Sequence, residues 1–175
     1  MEITVREFRS EDTKDAIAIW NEVVDQGKAF PQLEDLGVED GEAFFKEQSY
    51  TGIAVNENDE IVGLYILHPN NIGRCGHICN ASYAVKSTVR GQGVGKAIVT
   101  DCLEKAKEIG FRVLQFNAVV KSNTTALKLY QKLGFTQLGT IPGGFLNKDG
   151  VYEDIIVHYK DCLLYTSDAA DEARS

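Results

Sequence analysis

The stretch Arg90-Gly91-Gln92-Gly93-Val94-Gly95-Lys96 decides how this chain of 175 residues is read. Its three glycines separate a strand-like run, Gly76 to Val85, from a helical pattern that extends from about Gly93 to Ile109. Glycine lets the backbone approach a ligand with no Cβ in the way. A helix start adds N–H groups that lack intrahelical partners, together with the positive end of the helix dipole. The combination is an anion cradle that would suit a pyrophosphate.

Working outward, the chain resolves into short elements. Ile3 to Phe8 alternates like a strand, and Ser10-Glu11-Asp12 opens a helix. That helix carries Ala16, Ile17, Ile19, Trp20, Val23 and Val24 on one face and stops near Gly27. Asp40 to Gln48 reads as a second, shorter helix with Phe44 and Phe45 inward. Tyr50 to Val55 and Ile61 to Leu67 read as a hairpin around Asn56-Glu-Asn-Asp-Glu60. Beyond the glycine loop, Val113 to Val120 is nearly continuous in apolar residues, as a central buried strand would be. Ser122-Asn123-Thr124 caps a helix through Leu133 that Gly134 ends, and Phe135 to Ile141 and Tyr152 to Tyr159 close the chain as strands. The predicted order is β-α-α-β-β-β-α-β-α-β-β.

The glycine loop does not match G-x-G-x-x-G or the phosphate loop G-x-x-x-x-G-K-[ST], and it sits mid-chain, whereas a dinucleotide site usually follows the first strand. It does match Q/R-x-x-G-x-G/A through Arg90, Gly93 and Gly95. This resembles the coenzyme A loop of the GCN5-related N-acetyltransferase (GNAT) superfamily. The element order is the one expected of that fold, so the resemblance covers roughly residues 1 to 160. It implies an α/β (α+β) architecture: a mixed central sheet of about seven strands with four helices, splayed at the two central strands. Loop and order agree, which is stronger than either alone.

Composition is consistent with one such domain. A chain of this length buries a sizeable core without disulfides or metal. No run approaches the roughly 20 apolar residues of a membrane span, and Met-Glu-Ile-Thr-Val lacks the features of a signal peptide, so the expected location is cytoplasmic with no membrane partner. A net charge of −8 argues against nucleic acid, whose phosphates need clustered Lys and Arg. Cys75, Cys79, Cys102 and Cys162 are too few and too irregular for a disulfide framework and are expected to be reduced. Cys75, His77 and Cys79 would share one strand face, yet no second ligand pair with metal spacing exists elsewhere, so no metal is expected. Cys162-Leu-Leu-Tyr-Thr-Ser-Asp-Ala-Ala-Asp-Glu172 can be read as the translation of a common sequencing adapter. Residues 161–175 are therefore expected to be a disordered, non-native tail on a domain of residues 1–160. Without that tail the chain stays acidic.

The resemblance gives individual residues roles. Tyr83, Ala84 and Val85, ending the strand before the loop, would pair by backbone with the pantetheine arm of acetyl-CoA, as an added strand would. Arg90 to Lys96 (Arg90, Gly91, Gln92, Gly93, Val94, Gly95, Lys96) would cradle its phosphates. Asn123 would touch the pantetheine besides capping its helix, and Tyr130, in the family's last motif with Leu133-Gly134-Phe135, would face the sulfur as general acid. Taken from the residues alone, Asn117 is an amide in an apolar strand, either bonded to neighbouring backbone or used chemically. Tyr130 alone could equally be packing at a helix end.

Within the superfamily, His77-Ile-Cys-Asn80-Ala, Phe116-Asn117-Ala-Val-Val-Lys-Ser-Asn123 and Leu138-Gly-Thr-Ile-Pro142 are similar to the fungal acetyltransferases that detoxify azetidine-2-carboxylate, a proline analogue. That resemblance implies Asn80 on the substrate, Asn117 in the oxyanion site and Asn123 on the coenzyme. The sequence departs at Tyr130, where the fungal pattern carries tryptophan. Phe30-Pro31 and Glu34 are candidate acceptor contacts. Glu153, Asp154, His77, His158 or a water chain are candidates for the base. The expected activity is transfer of an acetyl group from acetyl-CoA to the amine of a small molecule or amino acid. The alternatives are a peptide or protein acceptor, and a coenzyme A-binding module without catalysis. Homodimers are common in the family, but no feature of the sequence marks an interface.

Overall fold

The computed structural model describes residues 1–164. In chain order it contains β1 (Thr4–Glu7), a 3-10 turn (Ser10–Asp12), α1 (Thr13–Gln26), α2 (Val38–Glu47), β2 (Tyr50–Val55), β3 (Ile61–Pro69), β4 (Ile78–Val85), α3 (Val94–Ile109), β5 (Val113–Val120), α4 (Thr124–Lys132), β6 (Thr136–Leu146) and β7 (Tyr152–Asp161). This is the expected order. Seven strands form one sheet in the spatial order β1-β2-β3-β4-β5-β7-β6.

Two helical layers cover the sheet because α1 and α3 each present a single apolar stripe. From α1, Ala16, Ile17, Trp20, Val23 and Val24 pack with Ile53, Leu64, Ile66 and Ala84, and α2 adds Phe45. Trp20 anchors this layer, its ring 4.5 Å from that of Phe30 and 5.2 Å from that of Phe44. On the other face, Val94, Ile98, Cys102, Leu103 and Ala106 of α3 meet Tyr65, Leu67, Cys79 and Leu114. Each large apolar side chain so buried contributes on the order of 2 kcal/mol. α4 has no fully buried residue, although Leu129, Tyr130 and Leu133 lean on this second core.

The sheet is split at its centre. β1 to β4 pair antiparallel throughout, whereas β4 and β5 run parallel and pair only at Ile78 with Val113 and Cys79 with Leu114. Past Cys79 the two strands part. β5 then follows β7, with Phe116 opposite His158 and Val119 opposite Ile156, so a bulge places one additional residue on β5 around Asn117 and Ala118.

Several boundaries differ from the sequence reading. A 3-10 turn at Gly73–Cys75 precedes β4, which therefore starts at Ile78. Cys75 is exposed in that turn and Cys79 is buried in the strand, so these two and His77 do not line up on one strand face. β6 runs on to Leu146, because an irregularity between Ile141 and Phe145 absorbs Pro142-Gly143-Gly144. The packed chain also passes the boundary expected after residue 160. Asp161 pairs with Val113, the Cys162 N–H donates to Arg112 O at 2.9 Å, and the Cys162 side chain is buried in the second core. Of the expected tail, residues 165–175 lie outside the described residues. Among the described residues no helix is long and apolar enough to cross a membrane.

Candidate active site

The split between β4 and β5 opens a cavity of about 560 Å³. One wall is β4 from Asn80 to Tyr83 with Val85, and the facing wall is β5 from Phe116 to Val120. Arg90, Gly91 and Gly95 close one side, α4 contributes Leu129 and Tyr130, and Lys28 to Pro31 reach in from the α1–α2 connection.

The glycine loop has the conformation that an anion cradle needs. Gly91 and Gly93 take φ of +79° and +87°, and a Cβ built on either would meet only open space. Gly93 caps α3, whose first turn contains no acidic residue to compete with an anion. The loop is fixed from below by α1. Glu22 accepts from both the N–H and the hydroxyl of Ser87 at 2.8 Å, and Arg90 donates to Gln26 Oε1 at 2.8 Å. Gln92 and Lys96 are exposed, and the Val94 side chain is buried, so Val94 can offer only its backbone N–H.

β4 provides a free edge to the cavity. Its other edge is paired with β3, Leu64 opposite Ala84 and Gly63 opposite Val85. On the β5 side no ladder partner follows Cys79. The Ala84 side chain is buried in the α1 layer, so Ala84 too can act only through its backbone. Asn123 both lines the cavity and caps α4, its Oδ1 accepting from the Ala126 N–H at 3.3 Å.

Tyr130 sits over the cavity among aromatic neighbours. Its ring lies 4.6 Å from Phe116, 5.4 Å from Phe135 and 5.8 Å from His158, centroid to centroid. Burial, with a smaller contribution from Cys102, raises the phenol well above its ordinary value, which keeps it protonated. Behind it, His158 is only 1% exposed. Nδ1–H of His158 donates to Ile156 O at 3.1 Å, and desolvation lowers its pKa, so the ring is neutral with Nε2 buried and unpartnered.

Asn117 is exposed on the cavity wall at the β5 bulge, and so is not the buried strand amide that the apolar run suggested. It belongs to a group of carboxamides spanning the split: Asn117 exchanges hydrogen bonds with Asn70, and Asn80 Nδ2 also reaches Asn70 at 3.4 Å. Asn70 and Gln115 were absent from the sequence reading. Nothing local marks them, since Asn70 follows Pro69 as an ordinary turn residue and reaches its partner 47 positions away.

Other expected contacts are not brought together. Phe30 lines the cavity while packing at a tilt on Trp20, but Glu34 is exposed and does not line it. Of the candidate bases, none lines the cavity. His77 is exposed in the turn before β4 and His158 is sealed behind Tyr130. Glu153 accepts from Ser122 and Asn147, and Asp154 accepts from the Gly143 N–H.

Residues 14–135 match the acetyltransferase (GNAT) family. N-acetyltransferase aca1 of Schizosaccharomyces pombe is 31% identical over 108 residues, a region covering 61% of this chain and 52% of that protein, so the chain spans about half the length of that relative. Peptidyl-lysine N-acetyltransferase YjaB of Escherichia coli is 31% identical over 140 residues, 79% of this chain and 86% of that protein. Among solved structures, a GCN5-related N-acetyltransferase from Kribbella flavida superposes with a TM-score of 0.84 at 32% identity, covering 91% of this chain and 97% of that one. With its split sheet, its glycine loop and a family match over most of its length, the chain belongs to the GNAT family of acetyltransferases.

Proposed function

We propose that the protein transfers the acetyl group of acetyl-CoA to the amine of a small molecule or amino acid, a proline analogue being the leading acceptor. The observation that carries this is the cavity itself, which joins an anion cradle at one side to a free strand edge and a set of aimed amides at the other. Acetyl-CoA fits those parts in kind. The amides of Gly91 to Lys96 would take its pyrophosphate, the open β4 edge from Asn80 to Val85 its amide-bearing arm, and Asn123 a further polar contact. The bound thioester supplies an activated acetyl group.

The residues then act in sequence. The acceptor amine, neutral and oriented beside Asn80, attacks the acetyl carbon, so that a C–N bond forms and charge develops on the carbonyl oxygen. Asn117 offers an N–H to that oxygen. As the C–S bond breaks, the Tyr130 phenol gives its proton to the sulfur and recovers one from solvent. The proton lost by the amine leaves through water, since no carboxylate or imidazole lines the cavity among the described residues.

The lining also bears on the choice of acceptor. Its charged side chains are both cationic: Arg90, on the cradle side, and Lys28, on the α1–α2 connection, which is the one left for the acceptor. A cationic peptide would meet no countercharge there, whereas an acceptor with its own carboxylate would. This favours the amino acid over the peptidyl lysine named for the E. coli relative. The test is thiol release from acetyl-CoA with the full chain over a panel holding azetidine-2-carboxylate, proline, simple amines and a lysine peptide. Turnover confined to amino acids supports the reading. Turnover of the peptide alone overturns the acceptor assignment, and coenzyme binding without turnover of anything overturns the enzymatic one.

A further inference from the structure

Asn80 and Asn117 face each other across the split, and neither holds itself in place. The residue between them is Asn70, at the end of β3, whose own N–H is fixed on Ile78 O at 2.8 Å. Its side chain makes a reciprocal pair with Asn117. Asn70 Nδ2 donates to Asn117 Oδ1 at 3.1 Å, and Asn117 Nδ2 donates to Asn70 Oδ1 at 2.7 Å. Gln115 Nε2 donates to the same Asn117 Oδ1 at 3.0 Å, and Asn80 Nδ2 reaches Asn70 Oδ1 at 3.4 Å.

Counting donors and acceptors defines what is left over. Asn117 Oδ1 has two lone pairs and receives two N–H groups, so it is full. Asn117 Nδ2 spends one hydrogen on Asn70 and keeps one. Asn80 spends one N–H and keeps its carbonyl oxygen and its second N–H. Turning any one of these amides over would set N–H against N–H, or oxygen against oxygen. An isolated asparagine on a strand has no such bias between its two orientations.

We infer that Asn70 is a positioning residue that fixes the amide orientation of Asn117 and Asn80, presenting an N–H to the developing oxyanion and a carbonyl oxygen to the acceptor. Asn70 does not itself line the cavity, so it acts through its two partners. The inference rests on the acetyl-transfer reading of this site.

The experiment is a double-mutant cycle on the full chain with Asn70→Ala, Asn117→Ala and the pair together. It reads kcat, acceptor KM and the rise in melting temperature given by acetyl-CoA. Asn70→Ala is expected to lower kcat by about tenfold to a hundredfold, the scale set by misplacing a catalytic group, with the acetyl-CoA response unchanged. In the Asn117→Ala background the same substitution should cost kcat less than about twofold, because the oxyanion group it positions is already gone and its hold on Asn80 is read in the acceptor KM. Asn70→Asp keeps size and acceptor oxygens but cannot donate to Asn117 Oδ1, so it should lose kcat like Asn70→Ala and serves if the alanine variant fails to fold. Equal losses in both backgrounds, or full activity of either single Asn70 variant, would overturn the inference while leaving the function intact. A wild-type protein that acetylates nothing on the panel would overturn both.

Discussion

At the level of single residues, Tyr130 and Gly93 bear the most testable weight. Removing the Tyr130 hydroxyl leaves a ring that still packs on Phe116 and Phe135. Tyr130→Phe should therefore lower kcat by about a hundredfold, the usual contribution of a positioned acid, while acetyl-CoA continues to stabilise the fold. Calorimetric binding beside steady-state kinetics checks both halves. Because burial raises this phenol, its protonated form persists through the neutral range and should impose no falling limb on kcat/KM there. Gly93→Glu attacks the cradle instead. The open space beside Gly93 would accept the side chain, but the carboxylate would stand where phosphates should sit, on a backbone whose φ of +87° disfavours any Cβ. Loss of the coenzyme-induced thermal shift, in a protein still folded by circular dichroism, is the expected outcome. The motif around Gly93 could be read from spacing because glycine is a local requirement. Asn70 could not, because its meaning arises only when β3 and β5 are brought side by side.

Among the elements, β2, β3 and α3 are locked together by one tyrosine. Tyr65 is fully buried under α3 and donates to Asp101 Oδ2 at 2.6 Å, and a Cβ at Gly52 would collide with its ring. Gly52→Ala should cost roughly 1–3 kcal/mol as an overpacked core does, measured as a lower urea midpoint at unchanged slope. The helices were legible because α1 and α3 repeat apolar residues at helical spacing. The ends of strands were less so. β6 continues through Pro142-Gly143-Gly144 as an edge strand whose irregular pairing with β7 tolerates what a central strand would not. β4 starts late because Gly73–Cys75 closes a 3-10 turn that the apolar pattern did not announce.

For the molecule as a whole, two groups make its stability fall toward acid, one after the other. His158 is buried neutral, with a pKa lowered by desolvation. The unfolded chain therefore takes up its proton first, and stability should fall as pH drops below about 6.5 and level off below the folded value. Melting temperature recorded against pH, with His158→Gln as the control that removes this slope, tests the sign. Asp12 acts lower on the scale. Burial pushes its carboxyl up, but the Arg6 guanidinium and the Arg9 N–H outweigh that and hold it below the usual range, so its contribution is lost only in stronger acid. The order of elements was legible from sequence at this scale, and the place where the sheet splits was legible only through resemblance, since strand pairing is a long-range property. That split has a mechanical side. The two half-sheets are riveted at one end by Ile78 with Val113 and Cys79 with Leu114, reinforced where Arg112 and Val113 both donate to His77 O. Like the blades of open shears, the two strands pair only at the rivet, so the gap at their far ends depends on how Cys79 and Leu114 pack, although neither side chain lines the cavity.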